Sequence, residues 1–279
     1  MENLTPKNTY RRCLSIAGSD PSGGAGIQAD LKTFSAMGCY GMTAIVAVVD
    51  ENTVGVTGVH PIPVQFVTGQ IHSCLDDIGA DAVKIGMLHS VELIRAVRHT
   101  LDQYPSLRNI VLDPVMVATS GDPLLEADAV DTLRDELIPR ARVITPNIPE
   151  AELLLGEKIR NQAALPDFAR RLSERCGNVS VLLKAGHLHD DILTDIFYNA
   201  ESGKTLELSS RRSQTCNTHG TGCTMSSAFA AALAHGKNLD DAARDAKNFI
   251  AAAIEAGSRY TIGHGHGHGP VHHFHNWWQ

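Results

Sequence analysis

The residues best suited to chemistry lie between Gln214 and Gly236, where QTCNTHGTGCT runs into MSSAFAAALAHG. A polar stretch poor in helix formers reaches Gly220-Thr221-Gly222-Cys223, and an Ala-rich helical segment follows. Glycines at a helix start let the backbone turn its free amides toward a ligand. With the positive end of the helix dipole, the amides of Gly220, Thr221 and Gly222 form a cradle for a phosphate. Cys223 falls in the first turn, where the same field is expected to lower its pKa from about 8.5 and suit it to take a proton from an alcohol. The competing reading is a glycine-rich loop capping an ordinary buried helix, with Cys223 a small core residue.

Phosphoryl transfer also needs a metal and a counter-charge for the nucleotide. Asp113, in the exit of Asn-Ile-Val-Leu-Asp-Pro, and Glu150, in Thr-Pro-Asn-Ile-Pro-Glu, are candidates to hold Mg2+ through waters. Lys184 can neutralise phosphates, and Asn147 and Met87 stand at comparable strand ends. Asp30, early in a helix after Ser19-Asp20-Pro21-Ser22-Gly23-Gly24-Ala25-Gly26, can point back over that loop toward a ligand. Each has a plainer alternative: a dipole-complementing acid for Asp30, backbone capping for Asp113 and Asn147, a snorkelling surface lysine for Lys184.

These positions need a scaffold that gathers strand ends. Strands are expected at 13–18, 42–49, 81–88, 109–114, 143–150 and 180–187, and helices over 27–37, 63–77, 90–103, 126–138, 163–176 and 240–258. A hairpin joins 193–198 to 205–210. Alternating strands and helices predict a single α/β domain with a mainly parallel, doubly wound sheet, whose functional groups collect at the strands' carboxyl edge. The glycines of 18–26 fit neither a dinucleotide fingerprint nor a Walker A loop, and Gly203-Lys204-Thr205 lacks the upstream glycine of a P-loop. Residues 1–11 read as a loose arm, 12–262 as the catalytic domain, and 263–279 as a His/Gly-rich surface tail with little prospect of a structural metal.

Composition narrows the partners. A net charge of −7 leaves no footprint for nucleic acid. No run approaches the roughly 18 apolar residues of a membrane span. Six cysteines scattered without a CxxC pair suit a reducing cytoplasm.

With IAGSDPSGGAGIQAD (16–30), KIGML (84–88), DPVM (113–116), TPNIPE (145–150) and NTHGTGCT (217–224) in place, the chain resembles the hydroxymethylpyrimidine and hydroxymethylpyrimidine-phosphate kinases of thiamin biosynthesis. These are members of the ribokinase-like superfamily, and the likeness extends through GPVHHFH (269–275). It implies ATP-dependent phosphorylation of 4-amino-5-hydroxymethyl-2-methylpyrimidine and then of its monophosphate. By resemblance Gly18, Asp30, Glu51, Met87 and Val115 face the pyrimidine, with Cys223 as base above the Gly220–Gly222 anion hole. Lys184, Asn147 and Thr218 serve ATP, and Asp113 and Glu150 serve Mg2+. A monovalent cation such as K+ and a homodimer are further implications. One departure stands out: Glu51-Asn52-Thr53 replaces the family's Gln-Asn-Thr. A carboxylate only accepts hydrogen bonds where an amide both donates and accepts. Vitamin B6 kinase activity on pyridoxal, pyridoxine or pyridoxamine is therefore the nearest alternative. A cysteine hydrolase pairing Cys223 with His219, and a non-catalytic nucleotide-binding regulator, are alternatives from other classes. The loops 118–123 and 187–191 are the candidate lids.

Overall fold

The computed structural model describes residues 9–116, 125–126, 128–186, 191–264 and 266–278. Both candidate lid loops fall almost wholly outside them. Strand β1 (Arg11–Ala17) leads into α1 (Gly26–Ala36), β2 (Cys39–Ile45), the hairpin β3 (Ala47–Glu51) and β4 (Val56–Pro61), and α2 (Val64–Asp77). Next come β5 (Ala82–Ile85), α3 (Val91–Asp102), β6 (Ile110–Leu112), α4 (Ala129–Thr132), β7 (Val143–Ile144) and α5 (Ile148–Leu155). The chain continues through α6 (Leu165–Arg175), β8 (Ser180–Leu183), the hairpin β9 (Ile192–Asn199) and β10 (Lys204–Arg211), α7 (Thr221–Ala234) and α8 (Leu239–Gly257). Eight strands form one sheet in the order β10-β9-β8-β7-β6-β5-β1-β2, parallel from β2 to β8 and antiparallel at the β9–β10 edge. The expected α/β architecture is present.

The central parallel strands β5–β8 are buried at every position because helices cover both faces of the sheet. Alternate residues feed two cores: Leu14, Val83, Leu112 and Ile144 face α2, α3 and α6, while Cys13, Ala82, Val111 and Val143 face α1, α7 and α8. Helix α7 is buried on every side from Thr224 to Ala234. Its alanines permit close approach to the sheet and α8, and Phe229 fills the remaining gap against Phe197 with ring centroids 5.7 Å apart.

Four local expectations need correction. The strand expected at 42–49 breaks at Val46, where the chain leaves β1 and turns into a separate two-stranded hairpin, β3–β4. The apolar alternation runs through the break, so periodicity alone cannot locate it. Residues 148–155 are helical rather than a strand exit, and the signal was present. Asn147 and Glu150 have the spacing of a capping box, and each side chain binds the other's backbone N–H. The helix expected over 126–138 is a short α4 that passes into a π turn at Leu133–Leu137 and a 3-10 turn at Ile138–Arg140. Pro139 cannot continue regular α-helical bonding there.

The C-terminal segment is the fourth. Val271, His272 and His273 are buried rather than surface residues. The His272 N–H donates to the Ala253 carbonyl of α8 at 3.0 Å, and His273 Nε2 lies 3.0 Å from Thr224 Oγ1. Among the described residues no helix is long and apolar enough to cross a membrane.

Phe229→Ala should cost roughly 3–5 kcal/mol of folding free energy, since the backbone of α7 cannot collapse into the void. Urea unfolding at constant m-value checks this.

Candidate active site

Parallel strands deliver their chemistry to one edge. Gly18 follows β1, Lys84 lies in β5 with Met87 just beyond, Asp113 follows β6, Asn147 follows β7 and Lys184 follows β8. All of them line one cavity of about 830 Å³, together with Glu51, Val115, Glu150, Thr218 and the loop Gly220–Cys223. Of the residues singled out in the sequence for the site, Asp30 alone does not reach the wall.

The loop at Gly220 is held by glycine contacts. Gly220 caps α7 at φ +78°, and a Cβ there would lie 1.7 Å from the Gly24 carbonyl oxygen. A Cβ on Gly24 would in turn sit 2.3 Å from His219 Cδ2. The two glycine-rich loops therefore interlock backbone to backbone. Thr221 N–H turns back to the Thr218 carbonyl at 3.3 Å, so Gly222 and Cys223 carry the next two first-turn donors at the cavity wall. Asp20 fastens the interlock: it accepts from Ser22 N and Ala25 N and lies 2.8 Å from His219 Nε2. Burial works to raise the Asp20 pKa, but these bonds hold the carboxyl well below its usual range. Burial likewise opposes charge on His219, and Asp20 nevertheless keeps that pKa raised.

Beneath Cys223 lies a buried ion pair. Lys84 Nζ donates to Asp30 Oδ2 at 2.9 Å with both side chains fully enclosed. Ser15 Oγ binds the same oxygen at 2.5 Å, and Ser227 Oγ binds Oδ1 at 2.7 Å. Ser227 is one helical turn after Cys223, so the thiol and the pair share one face of α7. Asp30 thus anchors Lys84 and α7 instead of touching the cavity: it is fully buried, and its two oxygens accept from three internal donors. Lys84 was not singled out in the sequence; a lysine inside a strand that continues in apolar residues was the available signal. Burial tends to lower its pKa, but Asp30, Cys223 and Asp113 hold it above the ordinary value.

The thiol departs from expectation. Burial pushes Cys223 up to about 11, with Asp30 and Asp113 adding to the effect and Lys84 opposing it. The helix field does not overcome the surrounding low-dielectric protein.

On the other side of the loop, Asp113 Oδ1 accepts from Thr145 Oγ1 at 2.7 Å and Lys184 Nζ at 2.8 Å. A Cβ on Gly222 would lie 3.3 Å from both Asp113 Oδ2 and Lys184 Nζ, so the pair flanks the anion loop. Burial opposes charge on Lys184, yet Asp113 and Glu150 keep its pKa raised. Glu150 Oε2 accepts from Asn147 N at 2.8 Å, and Asn147 Oδ1 accepts from Glu150 N at 2.9 Å. The capping alternative thus describes Asn147, and Glu150 shares that role. Burial pushes Glu150 up to about 7, with Asp113 adding and Lys184 opposing. Farther along the cavity a second unforeseen pair appears: Lys247 Nζ donates to Asp195 Oδ2 at 2.8 Å, and Asp195 Oδ1 accepts from Ala185 N at 2.7 Å. This holds the backbone immediately after Lys184.

The donor set also tests the metal. Asp113 and Glu150 are carboxylates on one wall, already engaged by Lys184 and backbone. They fit an Mg2+ that keeps most of its water shell and arrives with a nucleotide. Among the described residues no group of three potential ligands could hold a bare ion. The hydrolase alternative fares worse, because His219 is committed to Asp20 and Cys223 is pushed toward the inert thiol.

Glu150 makes a pH prediction. Its folded pKa exceeds the ordinary 4.5, so between pH 4.5 and 7 the folded state binds the extra proton and stability falls as pH rises. Urea unfolding without divalent ions should show this fall in wild type and a flatter profile in Glu150→Gln.

Comparison with known proteins agrees with this geometry. A family model described as phosphomethylpyrimidine kinase matches residues 20–272. A hydroxymethylpyrimidine/phosphomethylpyrimidine kinase of Rhizobium meliloti is 47% identical over 268 residues, covering 95% of this chain and 98% of the relative. The crystal structure of phosphomethylpyrimidine kinase from Clostridium difficile is 41% identical with a TM-score of 0.75, covering 87% of this chain and 99% of that one. Pyridoxal kinase from Staphylococcus aureus, in complex with AMP-PCP and pyridoxal, is 33% identical with a TM-score of 0.85, covering 97% and 96%. The fold is the ribokinase-like fold of these kinases, and the chain belongs to the phosphomethylpyrimidine kinase family.

Proposed function

We propose that the protein transfers the γ-phosphoryl group of ATP to the hydroxymethyl group of 4-amino-5-hydroxymethyl-2-methylpyrimidine, and then phosphorylates the monophosphate to the diphosphate. The observation that carries this reading is the placement of the anion loop. Gly220–Cys223 lines one cavity with the apolar Met87 and Val115 and with the Asp113–Lys184 pair, and Gly222 lies against that pair. A Cβ on Gly18 would lie 2.9 Å from Met87 Cε and 3.6 Å from Val49 Cγ2, so these three residues pack closely together on the cavity wall and offer apolar contact to a small ring. Val115 and Glu51 complete that end.

On this reading the Gly222 and Cys223 amides receive the charge that builds on the transferred group, the dominant contribution in a loose phosphoryl transfer. Lys184 and Lys84, both lining the cavity, add positive charge. Mg2+, held through water by Asp113 and Glu150, would neutralise the nucleotide phosphates. Thr218 and the Asp195–Lys247 pair line the same cavity and are, on this reading, further contacts for the nucleotide. Cys223 rests as a thiol and orients the acceptor hydroxyl; to serve as base it first releases its own proton to solvent when the nucleotide and metal are bound, and the thiolate then takes the hydroxyl proton.

Glu51 favours a second reading. Its carboxylate accepts from an exocyclic amino group but cannot donate to a ring nitrogen. A pyridoxal kinase superposes over nearly the whole chain, and B6 vitamers present a hydroxymethyl arm on a similar ring. The pyrimidine remains preferred because the relative at 47% identity bears the pyrimidine kinase name.

The deciding experiment measures ATP consumption with Mg2+ and hydroxymethylpyrimidine, its monophosphate or pyridoxine, with products identified by mass. Turnover of the first two, ending in the diphosphate, is expected; a marked preference for pyridoxine would reassign the acceptor. Cys223→Ser should lower kcat by roughly 10²–10⁴-fold while leaving ATP binding intact. A near-wild-type rate would remove the thiol from proton transfer.

A further inference from the structure

The C-terminal segment has so far no part in the reaction, yet it touches both loops that close the acceptor end of the cavity. The tip of the β3–β4 hairpin, two residues beyond Glu51, rests on it. His268 N–H donates to the Thr53 carbonyl at 2.9 Å. Gly267 packs so tightly on the same peptide that a Cβ would lie 1.7 Å from Thr53 O and 2.7 Å from Val54 N. Two residues farther on, the Gly269 carbonyl accepts from His219 N–H at 3.0 Å, and Pro270 forms a parallel bridge with His219. His219 adjoins Gly220 and is locked to Asp20.

The far end of the segment is firmly based. Asn217 Nδ2 donates to the carbonyls of Gly257 at 2.7 Å and Tyr260 at 2.8 Å, and a Cβ on Gly269 would lie 2.0 Å from Asn217 Oδ1. His272 is bonded to α8, and His273 to Thr224, the residue after Cys223. Burial pushes His273 down to about 3, so this contact does not change protonation near neutrality.

We propose that Gly267–Gly269 is a positioning strap that sets the spacing between the Glu51-bearing hairpin and the anion loop, and so determines how the acceptor ring is seated. The hairpin belongs to no large sheet, being only two strands. Its tip is therefore placed by what it leans on, and the strap supplies that support. The backbone contact at Gly267 leaves no room for a side chain, so any substitution there moves the tip by more than an ångström to restore ordinary contact at 3.4 Å or more. Displacements of that size at a positioning element cost as much as 10²-fold in rate. Lys184, Asp195 and Lys247 lie on other elements, and Thr218 adjoins the strap only at Gly269, whereas the close contacts of Gly267 are all with Thr53 and Val54 of the hairpin.

The proposal rests on the acceptor reading only for the identity of the acceptor, so the test uses whichever of the three compounds wild type phosphorylates. In the folded enzyme, Gly267→Ala should raise the KM of that acceptor by roughly 10-fold or more and leave the KM of ATP within about 2-fold. His268→Pro, which removes the N–H that holds Thr53, should shift the same constant in the same direction. His264→Ala, earlier in the segment and exposed, should change neither. An unaltered acceptor KM in the two strap variants, or equal loss toward acceptor and ATP, would overturn the proposal. Hydrogen exchange on wild type provides a readout independent of variant folding: segments 51–55 and 266–270 should gain protection together when any of the three acceptors binds, and not with AMP-PCP. Uncoupled protection would equally overturn it.

Discussion

Everything at the active site depends on two glycine backbones that touch. Gly220 can cap α7 in a left-handed conformation against the Gly24 carbonyl because it has no Cβ, and Gly24 leaves room in turn for the His219 ring. The contact seats the anion loop against the loop after β1, and the buried Asp20–His219 pair fastens it laterally. A side chain at either glycine would separate the loops, and with them the acceptor pocket from the first-turn amides of α7. The rest of the fold supplies a platform on which this approach can be held: a sheet buried on both faces and a helix small enough, through its alanines, to lie flat on it.

Charge is arranged around that contact in pairs. Lys84 with Asp30 lies beneath the loop, Lys184 with Asp113 beside it, and Lys247 with Asp195 beyond. Buried pairs contribute little net stability, but deleting one partner leaves the other uncompensated and is costly. Their value here is positional. Each cation is fixed by an acid that is also bonded elsewhere: Asp30 to Ser15 and Ser227, Asp113 to Thr145, Asp195 to the Ala185 amide. A phosphate moving through the cavity would meet positive charge that needs no reorganisation on its arrival, as an electrostatically preorganised site requires.

The same low-dielectric surroundings explain why the expected thiolate does not form in the resting protein. A helix N-terminus favours an anion, but burial pushes the Cys223 thiol up to about 11, with Asp30 and Asp113 adding to the effect. Glu150 shows the identical conflict from the other side: a capping carboxylate that accepts backbone N–H bonds, yet titrates near neutrality because it is enclosed beside Asp113.

The amino-acid sequence by itself determined the alternation of strands and helices, the glycine loop before α7, and the acids and lysine at strand ends, because these are local patterns of polarity and turn chemistry. It also carried the Asn147–Glu150 capping box, legible as a spacing though overlooked as a helix start. Only the tertiary structure decided that Asp30 anchors Lys84 instead of facing the ligand, that the chain leaves its sheet at Val46, and that the histidine-rich tail lies against Thr53 and His219. Those outcomes depend on partners far away in the chain. Whether an acid contacts a ligand or an internal lysine depends on which side chain reaches it first, and no local pattern records that distance.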